Sequence, residues 1–409
     1  MVRLAIVGIG GYGWELVEQI QRASDKLDCQ LAAAADARFA EHEQRAEALR
    51  QDGVALYHDA LEMFDALQGR CDAVYIATGI PEHADLTIAA LEAGYHVHLE
   101  KPPAATVQET DAMQAAVERT GRFCLVGFQA VHSTDIRLIK ERAVAGRFGE
   151  VQSLACYAGW PRDRAYYARN GWAGQLKVGD AWTLDGPAAN ALSHQIVNML
   201  LLASPEPGRL ATPTAVRAEL YAAGPVPSHD TAAIEVQTAE GPTVWLLVSH
   251  CTDRNFGPAI VLQGSGGRAL WRMRHGAILS YDGETEQCPR DPHSGRPQMV
   301  ANFVQAVADG DGSALRCPLA ESRKFVLVLD GAHESSGRIH RIAGTHFRRT
   351  AEDTEGARTA VDDLDELLVE CAEQRCLFSD LDAPPPWAVG TEPFSLAGYD
   401  RFPQRFAAE

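Results

Sequence analysis

Leu4-Ala5-Ile6-Val7-Gly8-Ile9-Gly10-Gly11-Tyr12-Gly13-Trp14-Glu15-Leu16-Val17 is the stretch on which the fold turns. An apolar run reads as a buried strand, a G-x-G-x-x-G pattern follows at once, and helical spacing begins at Trp14. Alone the glycine pattern says little in a chain with 35 glycines. Between a strand and a helix it predicts a dinucleotide cradle. Gly8 permits the tight turn, Gly10 lets a pyrophosphate approach the backbone, and Gly13 allows close helix–strand packing. The helix N-terminus adds free N–H groups and a positive dipole end. Gly8, Gly10, Gly11, Tyr12 and Gly13 are therefore candidate cofactor contacts. A second apolar run ends at Asp36, 23 residues beyond Gly13, where an acid can bond adenosine ribose hydroxyls. A carboxylate there repels a 2′-phosphate, which favours NAD over NADP. Arg38, two residues on, keeps NADP possible.

Working outward, Gln30–Asp36, Val54–Tyr57, Ala73–Thr78, His96–Glu100 and Phe123–Phe128 read as further strands, with helical patterns between them at Glu82–Ala93 and Val107–Arg119. Strands apolar on both faces and separated by helices predict an α/β, doubly wound parallel sheet over residues 1–128, a Rossmann-type domain. Beyond it, a helix at Thr134–Val144 and a strand at Glu150–Trp160 precede an irregular, aromatic-rich stretch, and a helix is expected at Ala188–Leu202. Val216–Ala223, Thr231–Thr238, Thr243–His250, Ala259–Gly264 and Arg268–Arg272 resemble antiparallel strands, while Gln298–Asp309 and Leu319–Gly337 are helical. Residues 129–345 are thus expected to form an α+β domain on an open, mainly antiparallel sheet. Residues 346–409 are read as a C-terminal extension. There Val361, Leu364, Leu367, Leu368 and Cys371 follow helical spacing, and Pro384-Pro385-Pro386 breaks regular structure.

The chain has 409 residues, with 37 Lys plus Arg against 55 Asp plus Glu, a formal charge of −18. So acidic a surface repels phosphate backbones and anionic lipid, which argues against nucleic acid and membrane as partners. The nine cysteines are odd in number and none has CxxC spacing, so reduced, mostly buried thiols are expected rather than a disulfide frame or a metal site. No apolar run approaches the ~18–20 residues of a membrane span. The opening residues lack the longer apolar region of a secretory signal, so a cytoplasmic protein is expected.

Thr78-Gly79-Ile80-Pro81-Glu82-His83 follows the fourth strand, and His98-Leu99-Glu100-Lys101-Pro102 ends the fifth. With the amino-terminal fingerprint, these resemble the Gfo/Idh/MocA family of NAD(P)-dependent oxidoreductases, over roughly residues 1–345. The resemblance implies a Rossmann domain joined to an open-sheet substrate domain, whose helical end Met299–Gly337 also looks similar. Independently of it, Thr78 and Lys101 fall at carboxyl ends of strands, where open α/β sheets bind ligands. A cation at Lys101 can polarise a substrate hydroxyl and assist hydride departure, with Glu100 setting its environment. The resemblance implies a cis Lys101–Pro102 bond and places Gln129 near the nicotinamide. His83 reads equally as a cofactor contact and as a packing or capping histidine.

In the family an Asp-x-Gly-x-His-x-x-Asp stretch supplies a carboxylate and a catalytic histidine. With His194 aligned, this sequence has Asn190, Leu192 and Val197 at the other three positions. On one continuous helix Asn190, His194 and Asn198 would share a side within roughly 80°. His194 is the expected proton acceptor and Asn190 its support, although a neutral amide cannot stabilise imidazolium as a carboxylate would. Asp180, Asp185 and Tyr167 are the reserve candidates. Trp160-Pro161-Arg162 and Tyr166 to Gly174, with Arg169, Asn170 and Trp172, suit a polyol pocket or a subunit interface. The expectation is an NAD-dependent dehydrogenase acting on a CH–OH group of a sugar, cyclitol or related polyol, without metal. A lyase or glycosidase of the same fold that oxidises transiently, and a non-catalytic dinucleotide sensor, are the rivals. A homodimer or homotetramer through the second-domain sheet is expected, because no obvious helix covers one of its faces.

Overall fold

The computed structural model describes residues 1–351 and 354–408. By compactness they form two units: residues 1–104, 108–133 and 293–323, and residues 105–107, 134–292 and 324 onward. The first unit is built on six parallel strands, β1 (Val2–Val7), β2 (Cys29–Ala35), β3 (Ala55–Tyr57), β4 (Ala73–Ile76), β5 (His96–Leu99) and β6 (Cys124–Val126). They lie side by side in the order β3-β2-β1-β4-β5-β6, so the sheet reverses its winding beside β1, the position at which such sheets bind dinucleotides. Every residue of β4, β5 and β6 is buried, which is why these strands read as unbroken apolar runs.

The sequence division at residue 128 separates a helix from the sheet on which it packs. Arg296–Asp309 lies against β1 and the helix Gly11–Leu27, in the first unit. Phe303 is fully buried, and its ring meets those of Tyr75 and His98 edge-on at 5.3 and 5.5 Å. Helical periodicity identifies such a segment but not the sheet that receives its apolar face.

The second unit is a ten-stranded sheet. Its main path runs Glu284–Cys288, Gly276–Tyr281, Gly267–Arg272, Phe256–Gly264, Val151–Gly159, Thr243–Ser249, Thr231–Thr238, Pro213–Ala222 and His340–Arg341, and Phe394–Ser395 pairs alongside Pro213–Ala222. The pairing is antiparallel except between Thr243–Ser249 and Val151–Gly159, and between Pro213–Ala222 and His340–Arg341. The strands Gly276–Tyr281 and Glu284–Cys288 were not marked in sequence, and the second is mostly exposed and polar. One face carries the helix Ser193–Ala203.

The other face is not bare, which corrects the expectation. Helix Leu364–Gln374 of the C-terminal extension packs on Val151–Gly159 and Thr243–Ser249. Leu364, Leu368, Cys371, Leu377, Phe378 and Trp387 join Ala155, Tyr221, Ala233 and Leu247 in one apolar cluster. The alternating Leu and acidic residues are thus a core-facing helix with a solvated back. Register places Ala155, Val261, Leu270 and Ile278 in one row of that face. The extension covers Ala155, whereas Ile278 remains 42% exposed.

The continuous helix expected at Ala188–Leu202 is also corrected. Pro187–Ala191 forms one wide π-type turn, and the α-helix begins only at Ser193. Leu192, at φ −116° and ψ 13°, separates the two. The Ser193 hydroxyl donates to the Asn190 carbonyl at 2.8 Å, a local bond that competes with helix propagation. Among the described residues no helix is long and apolar enough to cross a membrane.

Candidate functional site

The cofactor half is assembled where β1 hands over to the first helix. Gly8 has φ +89°, and a Cβ there would meet the Ala77 carbonyl oxygen at 2.6 Å. A Cβ on Gly13 would stand 2.1 Å from the Gly8 carbonyl oxygen. Both positions exclude any side chain, and the second brings the helix onto the strand. Gly10 is the residue before the helix, and Gly11 is its exposed first residue. No side chain caps this N-terminus, so its donors face outward for an anion.

Asp36 is buried at the end of β2. One carboxylate oxygen accepts Ile9 N–H at 2.9 Å and the other accepts Arg38 N–H at 2.8 Å. The group is thereby fixed against the glycine loop, and each oxygen keeps acceptor capacity for a ribose hydroxyl. The Arg38 side chain is exposed and 3.8 Å from Glu41. Sequence reading missed Arg45, which donates to the Ile9 carbonyl at 2.9 Å and lies over the Trp14 ring. It missed Arg296 as well, whose Nε lies 3.2 Å from the Tyr12 hydroxyl. Arg45 sits on a helical face whose direction only the fold reveals, and Arg296 is remote in sequence.

Strands β4, β5 and β6 lead into polar residues beyond their carboxyl ends. Thr78 Oγ1, Glu100 Oε1 and Gln129 Oε1 are buried without a hydrogen-bond partner among the described residues. Such orphaned atoms beside a glycine cradle are what a polar cofactor would satisfy, so the residues present fit a nicotinamide dinucleotide. Lys101 is half-buried and its peptide bond to Pro102 is cis. Its backbone N–H donates to Glu100 Oε2 at 3.2 Å. Burial raises the Glu100 carboxyl to about 7, with Lys101 and Arg296 pulling it down. Burial also raises the Tyr12 phenol to about 12, helped by the Glu100 charge.

His83 has a positioning geometry. It is 1% exposed, with Nδ1 2.8 Å from the Pro102 carbonyl and Nε2 3.4 Å from the Thr78 carbonyl. Burial lowers it to about 4. A neutral ring thus ties the Pro102 turn to the end of β4.

In the second unit Asp185 is the organising acid. Its oxygens accept Gly174 N–H at 2.7 Å and the Asn190 side-chain amide at 2.9 Å. Asn190 projects from the π-type turn, while His194, half-buried, stands on the α-helix that follows, so the shared-face argument does not describe this pair. Asn198 is fully buried. Asn170 accepts Trp172 and Ala173 N–H groups and so shapes its own turn. Arg169 is exposed and lies 3.7 Å from the Tyr166 ring centroid and 5.3 Å from that of Trp172. Asp180 is exposed in a hairpin turn. The Tyr167 hydroxyl is 3.3 Å from His250 Nδ1; His250 was not singled out from sequence.

A doubly wound parallel sheet with a glycine turn after its first strand and a buried acid at the end of its second is the architecture of a dinucleotide-binding domain. The NAD-binding Rossmann fold of the Gfo/Idh/MocA oxidoreductases matches residues 2–128, so the likeness to that family lies in this domain. Myo-inositol dehydrogenase of Streptomyces leeuwenhoekii is 36% identical over 110 residues, 27% of this chain and 34% of that protein. Inositol 2-dehydrogenase of Azotobacter vinelandii is 27% identical over 199 residues, 48% of this chain and 52% of that protein. The chain therefore spans from a third to about half the length of these curated relatives. The solved WlbA dehydrogenase of Bordetella pertussis, in complex with NADH and UDP-GlcNAcA, superposes with a TM-score of 0.69 at 22% identity, over 82% of this chain and 96% of that one. A levoglucosan dehydrogenase with NADH and levoglucosan gives 0.69 at 20% identity, over 82% and 97%. At such identities the likeness concerns the fold.

Proposed function

We propose that this protein is an NAD-dependent oxidoreductase acting on a CH–OH group of a sugar, cyclitol or related polyol. The observation that carries the reading is Lys101 at the carboxyl end of β5, beside a buried carboxyl and in the same domain as the glycine cradle. NAD, when bound, supplies the hydride acceptor. Gly8, Gly10, Gly11, Tyr12 and Gly13 line the phosphates, Asp36 holds the ribose, and Thr78 and Gln129 offer their orphaned oxygens. The Lys101 ammonium orients the reacting hydroxyl and favours its alkoxide, which lowers the barrier to hydride loss. In the second unit His194 is the candidate proton acceptor, and Asn190, whose amide is held by Asp185, is the candidate support of the turn that precedes it. Asp36 sets a preference for NAD over NADP by repelling a 2′-phosphate. Arg169 and Trp172 serve polyol recognition.

Self-association is assigned to the outer strands that carry Ile278, since the centre of the sheet is covered by the extension. All nine cysteines are unpaired and eight are buried, which suits a reducing, cytoplasmic setting. A panel of sugars and cyclitols scanned for reduced-nicotinamide absorbance, with NAD and NADP in parallel, tests the reading. Reduction of NAD by at least one polyol is expected. Failure of every polyol to reduce either cofactor defeats it, and retained NAD with substrate turnover but no net NADH favours the transient-oxidation rival.

A further inference from the structure

Strand Val151–Gly159 runs out into Trp160 and Arg162, whose backbone N–H groups donate to the carbonyls of Ser249 and His250 at 2.9 and 3.1 Å. The short helix Arg164–Ala168 follows, fixed by Asp163, which accepts Tyr166 N–H. Arg164 and Ala165 N–H groups also donate to the carbonyls of Ala357 and Glu355, so the C-terminal extension braces this loop. Two cations are thereby held against one aromatic ring. Arg162 Cζ is 4.5 Å and Arg169 Cζ 3.7 Å from the Tyr166 centroid, which keeps them no more than about 8 Å apart. Neither forms an ion pair with a carboxylate of the described residues. In a chain of charge −18, two such neighbouring cations stand out against the general field.

A second observation concerns hydrogen bonding. Arg162 Nε and Trp160 Nε1 are buried without a partner among the described residues. Both are donors only, so what satisfies them must be an acceptor. His250, 2% exposed, has an unpartnered Nε2 as well. Its ring is held neutral chiefly by burial and then by the charges of Arg162 and Arg169, with one ring nitrogen still to be satisfied. Asp185 brings one opposing charge near Tyr166, but it already accepts Gly174 and Asn190. Beside the Tyr166 ring the cluster sets Arg162 and Arg169 against Asp185 and is rich in donors, while the Asp163 carboxylate is taken up by Tyr166 N–H.

We propose that Arg162 and Arg169, with Trp160 and Tyr166 as walls, clamp an anionic oxygen group, carboxylate or phosphate, carried by the substrate. This deepens the polyol-oxidoreductase reading and rests on it: the substrate class becomes a sugar acid or a sugar phosphate rather than a neutral polyol. Arginine is suited to the task because its planar fork meets either anion in two parallel bonds while stacking on a ring.

Calorimetric titration of the NADH-loaded full chain tests this with matched probes: D-glucose against D-glucuronate, D-galactose against D-galacturonate, and D-glucose against glucose 6-phosphate. At least one anionic member should bind ~10-fold or more tightly than its neutral partner, the return of one charge-assisted hydrogen bond. The uronate and phosphate arms tell which anion is taken. Arg162→Gln and Arg169→Gln should each reduce the anion-to-neutral preference by ~10-fold. Arg162→Lys, which keeps charge without the fork, should retain part of that preference and guards against a folding artefact. Equal binding of acid and neutral sugar, or variants that weaken both equally, overturns the proposal. Selective binding of an acid without hydride transfer on any compound defeats the oxidoreductase reading but leaves the clamp. Hydride transfer confined to neutral polyols does the reverse.

Discussion

Replacing Glu100 by Gln isolates the free-energy cost of a carboxylate ionised inside the cofactor domain. Glu100 is 6% exposed, Oε1 lacks a partner among the described residues, and Oε2 has one backbone donor. Burial raises the carboxyl from its ordinary 4.5 to about 7. Over the pH range between those values the folded chain keeps a proton that the unfolded chain has released. Stability is therefore greatest below the unfolded value, falls as pH rises, and reaches its full penalty above about 7. At 1.36 kcal/mol per pH unit the whole shift corresponds to about 3 kcal/mol, most of which develops between pH 5 and pH 8. Gln cannot ionise, so Glu100→Gln should gain about 2–3 kcal/mol on the parent across that interval, whatever its constant offset from altered packing. Hydrogen exchange of the buried β1, β4 and β5 amides reads the opening of this domain alone. Parallel pH profiles for parent and variant would refute the reasoning, because they would mean that Glu100 titrates normally in the fold.

Gly13→Ala should abolish NAD binding in a fluorescence titration, since its Cβ would lie 2.1 Å from a backbone oxygen; retained affinity would show that the loop is not the phosphate cradle. Lys101→Ala should slow hydride transfer by at least ~100-fold in stopped flow while NAD affinity holds, and His194→Ala should slow it less as pH rises, where hydroxide replaces the base. Near-normal transfer in Lys101→Ala rules out the assigned chemistry. Leu368→Ala, fully buried between extension and sheet, should cost ~2–5 kcal/mol, seen as a lower calorimetric melting temperature. Ile278→Asp should reduce the light-scattering mass to that of one chain, and a monomeric parent at micromolar concentration defeats the outer-strand contact.

Much of the cofactor domain was legible in sequence because its determinants are local. A buried parallel strand must be apolar throughout, a phosphate turn must be glycine, and Asp36 and Lys101 stand at strand ends that the same pattern marks. Periodicity also marked the helix Arg296–Asp309, as Gln298–Asp309, and the helix Leu364–Gln374, although Val361 of the same spacing ends a strand. What periodicity lacks is a destination. An apolar stripe states that something will be covered, and only tertiary packing decided that Phe303 meets Tyr75 and His98 in the first unit and that Leu368 closes the second sheet. The same limit governs the site. Sequence named Asn190 and His194, but the break at Leu192, where the Ser193 hydroxyl bonds the Asn190 carbonyl, puts them on two elements, a local irregularity that spacing does not report. Likewise Arg162, Arg169 and His250 converge through the pairing of two distant strands. Residue type and local pattern are properties of the chain, whereas which groups become neighbours, and so which are charged or orphaned, belongs to the fold.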